Sequence, residues 1–164
     1  MSQPPSPLID DRPTLDLALV GSYGRDTALL GIKLGGRHLT WNRRQAAFLL
    51  ASGEQGSGKS VLLRALQCHD LAVGNIPVML EVKPGDSAWL KGVASRAITP
   101  QGCVAAFRWA ITQMEARQLK CEAHGVPKIA DVDPDTPWVT LYVDEAPGLW
   151  ADEAVLDLGK NGRD

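Results

Sequence analysis

The chain has 164 residues, enough for one domain with a real core and too few for two full ones, and 45 % of them are hydrophobic, as in ordinary globular proteins. Lys and Arg total 17 against 19 Asp and Glu, and a net charge of −2 excludes a global basic field of the kind that marks many nucleic-acid binders, so any DNA contact has to be local or made by an assembly. There is no membrane segment of the ~18 apolar residues that a bilayer span needs, no basic start and apolar core of a signal peptide, and no C-x-x-C pair. The chain therefore reads as cytoplasmic, with Cys68, Cys103 and Cys121 as reduced, buried small hydrophobes.

Residues 1–27 open with prolines at 4, 5, 7 and 13 among polar neighbours and are expected to be a Pro-rich mobile segment ahead of a domain spanning 28–164. Ala28–Leu34 and Arg37–Trp41 flank Gly35-Gly36 and predict an N-terminal β-hairpin. His38 lies on that hairpin with no acid or nucleophile in local register. His38, and His69 and His124 near predicted helix ends, are read as partly exposed residues without a catalytic role.

Ala47–Ala51 is a short apolar run of the length of a buried parallel strand. It leads into Gly53-Glu54-Gln55-Gly56-Ser57-Gly58-Lys59-Ser60, which fits the G-x-x-x-x-G-K-[ST] phosphate loop at every required position. In such a loop successive backbone N–H groups point into one concavity, and the following helix presents its positive dipole end to the same spot. Val61, Leu62, Leu63, Leu66 and Leu71 continue it as a helix. The loop through Val61 is thus the expected nucleotide cradle, with Lys59 on the β- and γ-phosphates and Ser60 on Mg²⁺. Without an Asn-Lys-x-Asp guanine-reading motif, ATP is favoured over GTP.

Pro77–Lys83 predicts the next strand, bounded by Gly74-Asn75 and Pro84-Gly85-Asp86. A long helix follows, with Thr99 as N-cap, Pro100 as first residue and a stop near Gly125-Val126-Pro127. Val104, Phe107, Ile111, Met114 and Cys121 form a stripe read as core, leaving Arg108, Glu115, Arg117 and Lys120 to face water. Trp138–Val143 predicts a strand delivering Asp144 and Glu145 at its C-terminal edge, Asp144 for Mg²⁺ and Glu145 to orient and deprotonate a water.

With these residues placed, the chain resembles the FtsK/SpoIIIE/HerA-type DNA translocases from about Ile32 onward. Ile32–Trp41 looks like their short hairpin, Phe48–Leu63 like their Walker A strand, loop and helix, and Val143-Asp144-Glu145 like their Walker B end. Leu80–Asp86 resembles an Asp-Pro-Lys segment with Glu81 and Val82 in place of Asp and Pro. Arg108-Trp109, Met114–Arg117 and Gly125-Val126 look like the long helix, and Leu158–Arg163 like the arginine-bearing helix that follows. The resemblance implies an α/β, RecA-like P-loop NTPase, its mostly parallel sheet flanked by helices and incomplete at the C-terminus for want of a sensor strand. It further implies ATP hydrolysis driving movement along double-stranded DNA, a homo-hexameric ring, and Arg163 reaching a neighbour's nucleotide in trans. Two alternatives stay open: another P-loop ATPase such as a secretion ATPase, and a truncated, catalytically inactive nucleotide-binding remnant.

Overall fold

A computed structural model of the chain describes residues 22–54, 56–81 and 87–145. Among these residues five strands and two helices follow in the order β1 (Thr27–Ile32), β2 (His38–Asn42), α1 (Lys59–Ala72), β3 (Ile76–Glu81), β4 (Ser95–Ala97), α2 (Pro100–His124) and β5 (Val139–Asp144). Short 3₁₀ turns lie at Ala88–Leu90 and Ile129–Asp131.

β1 and β2 form the expected antiparallel hairpin, and Gly35 and Gly36 turn it with φ of 90° and 78°, a left-handed pair that side chains with a Cβ resist. The remaining strands make a parallel sheet in the order β4-β3-β5. β3 is buried on both faces, as a central parallel strand should be. The period-two alternation sends Val78 and Leu80 to one face, where Ala97, Cys103 and Val104 close a core beneath α2. Met79 and Tyr142 go to the other face, against Leu66 of α1, Ala28 and Trp41 of the hairpin, and Leu90. The α/β architecture, with a parallel sheet of three strands among the described residues and an N-terminal hairpin, is the one expected from the sequence.

The caps of α2 are also as expected. Thr99 Oγ1 accepts the Gly102 N–H at 3.1 Å. Gly125, at φ 65°, ends the helix in a left-handed turn in which Val126 N–H reaches the Cys121 carbonyl at 3.1 Å.

Five expectations need correction. Residues 47–51 form no strand, and Phe48 and Leu50 are 93 % and 89 % exposed. A strand exists only with a ladder partner, and among the described residues no backbone hydrogen bond joins this segment to β4 or β5, the two outer strands of the described sheet. The apolar stripe of α2 is core only at its start: Val104 is buried and Phe107 half-buried, whereas Ile111 and Met114 are exposed because the helix runs beyond the three-residue β4. Arg117 does not simply face water, since its Nη2 donates to the Pro137 carbonyl at 2.9 Å. Of the thiols only Cys103 is buried, Cys68 and Cys121 being half-buried, and His69 is buried rather than partly exposed.

Of the lead-in segment 1–27, residues 1–21 lie outside the described residues, while Arg25 and Asp26 are tied down. Arg25 Nε donates to the Val73 carbonyl at 3.0 Å, and Asp26 accepts from Trp138 Nε1 at 2.8 Å.

Candidate functional site

The glycine loop takes its shape from residues that tolerate left-handed backbone. Gly56 and Gly58 stand at φ 80° and 93°, and Gly58 is the N-cap of α1. Among the described residues no side chain caps this helix start, and no acidic residue lies in its first turn, so its leading N–H groups and positive dipole end are offered to an anion. A Cβ on Gly53 would stand 2.6 Å from Ser57 Oγ, so the entry to the loop is held close as well. Lys59 Nζ folds back across the loop and donates to the carbonyls of Gly53 at 2.5 Å and Glu54 at 2.6 Å. These carbonyls hold the ammonium over the loop, where a phosphate is a stronger acceptor for it.

The second half of the site comes from the sheet. β3 and β5 run parallel in a register that pairs Glu81 with Asp144, setting two carboxylate residues side by side at the C-terminal edge. Ligands of open parallel sheets bind at that edge. Asp144 shares a narrow crevice with Ser60, Arg64, Ser87 and Trp89, so the structure brings together the two residues expected to hold Mg²⁺. Glu145 is exposed and does not line this crevice. It has the positive-φ backbone (53°) of a strained turn, and its N–H donates to Asp144 Oδ1 at 3.0 Å. Gln55 of the loop, residues 82–86 and Arg163 lie outside the described residues.

A hydroxyl and a carboxylate are hard oxygen donors, the kind that Mg²⁺ accepts while keeping water and phosphate oxygens as further ligands. Among the described residues no group of three or more His, Cys, Asp or Glu side chains could hold a metal ion. The donor set therefore fits a cation delivered with a nucleotide better than a resident all-protein metal site.

Two polar clusters that sequence reasoning missed support the site. Behind it, Asp70 of α1 is fully buried and accepts from Arg43 Nη2 at 2.5 Å, Tyr142 Oη at 2.6 Å and Asn75 Nδ2 at 3.0 Å. Arg43 stacks over Trp41, 4.6 Å from the ring centroid. Tyr142 is two residues before Asp144 on the same strand, so Asp70 fixes β5 against the helix that carries Ser60. Burial, then the Asp70 carboxylate, push the Tyr142 phenol far above its usual range. Burial, joined by the nearby Arg43 charge, lowers the His69 imidazole below its ordinary value despite the opposing Asp70. Burial also pushes the Cys68 thiol up, away from the reactive range. The signal in the sequence was Asp70 itself, four residues after Leu66 on the apolar stripe of a helix.

Beside the crevice, Ser87 Oγ donates to Glu81 Oε2 and accepts from Arg96 Nε at 2.9 Å, with Glu81 and Ser87 both buried. Nothing in the sequence spacing marks this cluster, because the three residues come from separate segments.

No protein-family model and no curated protein sequence matches the chain. Among solved structures it is similar to the monomer form of the pCW3 conjugation coupling protein TcpA with ATPγS. The TM-score is 0.75 at 19 % sequence identity, over 89 % of this chain and 44 % of that one. The chain thus spans less than half the length of TcpA. At this identity what is shared is the fold, an α/β core.

Proposed function

We propose that the chain is the ATP-binding motor core of an FtsK/SpoIIIE-type double-stranded DNA translocase, serving chromosome segregation or conjugative or phage DNA transfer. The observation that carries this reading is the crevice shared by Ser60 and Asp144 at the N-terminus of α1. The likeness to a conjugation coupling protein solved with ATPγS supports it.

In this reading the loop N–H groups and Lys59 bind the phosphates, Lys59 exchanging the Gly53 and Glu54 carbonyls for phosphate oxygens. Ser60 and Asp144 hold Mg²⁺, which when bound neutralises charge developing on the phosphates. Glu145 orients and deprotonates the attacking water, and Arg163 serves a neighbouring subunit's site in a hexameric ring. DNA is held by backbone contacts summed around that ring, which reconciles a net charge of −2 with a polyanionic partner.

A second reading, a nucleotide-binding domain that does not turn over by itself, is favoured by one observation: the segment leading into the phosphate loop has no ladder partner among the described residues. ATPase assays with and without double-stranded DNA separate the two. DNA-stimulated turnover that Glu145→Gln abolishes while leaving Mg-ATP binding intact supports the motor. Binding without turnover supports the second reading. No binding overturns both.

A further inference from the structure

The Glu81–Ser87–Arg96 cluster is more than a buried ion pair, because of which hydrogen-bonding capacity it leaves unused. A serine hydroxyl has one proton and two lone pairs. The proton of Ser87 is committed to Glu81 Oε2, and one lone pair is taken by Arg96 Nε at 2.9 Å. Glu81 is further held by the Arg96 guanidinium at 3.7 Å. What remains is a single lone pair of fixed direction on a residue that lines the crevice with Ser60 and Asp144. An oxygen that has spent its donor cannot bond a phosphate oxygen, which is itself an acceptor. It can accept from water. Glu81, which holds Ser87, is paired with Asp144 in the sheet register, and Ser87 and Asp144 line the same crevice.

We propose that Ser87, held in one orientation by Glu81 and Arg96, positions the water that attacks the terminal phosphate. This rests on the nucleotide reading above. One hydrogen of the water is donated to Ser87 Oγ, and the other is left for Glu145, which adjoins the crevice as the chain neighbour of Asp144. The water oxygen bonds to the terminal phosphorus, the bridging P–O bond breaks with its electron pair staying on ADP, and the proton facing Glu145 passes to that carboxylate. Ser87 neither gains nor loses a proton. Because phosphoryl transfer leaves the protein mostly positioning to do, fixing this water is where such a group acts.

The test compares calorimetric binding of Mg-ATPγS with that of ADP–aluminium fluoride, which mimics the transition state and includes the attacking water, alongside steady-state turnover. Ser87→Ala is expected to leave ATPγS affinity unchanged while ADP–aluminium fluoride affinity and kcat fall about 100-fold, with KM unmoved. Ser87→Thr keeps the hydroxyl and is expected to restore both. Ser87→Cys fills the same space and still donates to Glu81 but accepts poorly, so it should behave like Ser87→Ala even if the alanine variant does not fold. ADP–aluminium fluoride affinity equal to wild type in a folded Ser87→Ala or Ser87→Cys protein overturns the proposal and leaves the nucleotide reading standing. So does a parallel loss of both affinities, which marks a merely structural cluster. Wild-type protein that binds neither nucleotide overturns the nucleotide reading, and this inference with it.

Discussion

Neutralising Asp70 tests whether the buried network holds the two halves of the site together. Asp70 has no exposed surface, and the Arg43 side chain facing it is 3 % exposed, so water cannot replace the carboxylate in an Asp70→Asn protein. The guanidinium would keep the Arg25 carbonyl at 3.2 Å and the Trp41 ring, while its Nε already has no hydrogen-bond partner among the described residues. A buried charge stripped of its counter-charge costs about 3–5 kcal/mol, a large share of a typical ~5–15 kcal/mol stability. Tyr142→Phe removes one hydrogen bond to the same carboxylate and leaves the ion pair, so about 1.5–3 kcal/mol is expected. Urea denaturation of the two variants gives both numbers, provided the m-value stays constant. Because Arg43 and Tyr142 share Asp70, a double-mutant cycle of Arg43→Ala and Tyr142→Phe should be non-additive. An Asp70→Asn loss below about 1 kcal/mol, no more than an ordinary hydrogen bond, would refute the argument.

The His69 imidazole, depressed by burial, is disfavoured in its charged form in the folded state, so its contribution is complete above the ordinary value of 6.5 and is lost as pH falls below it. Urea midpoints should therefore drop between neutral and mildly acid pH, and His69→Gln should flatten that drop. Removing the Thr99 cap with Thr99→Ala is expected to cost about 1 kcal/mol in the same assay, with no change in nucleotide affinity. Phe48 and Leu50 are almost wholly exposed, so Phe48→Ser with Leu50→Ser should change stability by less than about 0.5 kcal/mol and reduce turbidity on concentration.

What the sequence made legible are features set by a few adjacent residues. The Gly35-Gly36 hairpin, the Thr99 and Gly125 caps and the delivery of Asp144 at a strand end all follow from local backbone chemistry. The features that escaped depend on partners distant in the chain. Ala47–Ala51 has the composition of a strand, but only a hydrogen-bonded neighbour makes it one. Ile111 and Met114 continue an apolar period past the point where the sheet supports the helix. Arg43 follows β2, Asp70 lies in α1 and Tyr142 in β5, and Glu81, Ser87 and Arg96 likewise come from separate segments, so no spacing rule assembles either cluster. The glycine turn that opens α1 was legible because its glycines, lysine and serine are contiguous. Its pairing with Asp144 across 84 positions of chain, from 60 to 144, needed the fold.

The most direct test of the central claim is isothermal titration of the purified chain with Mg-ATP, set beside Lys59→Ala. Saturable binding by the wild type that the Lys59→Ala protein loses, with its melting curve unchanged, is the outcome expected if the ammonium now held by the Gly53 and Glu54 carbonyls serves the phosphates. Equal binding by the two proteins, or none by a folded wild type, would contradict it.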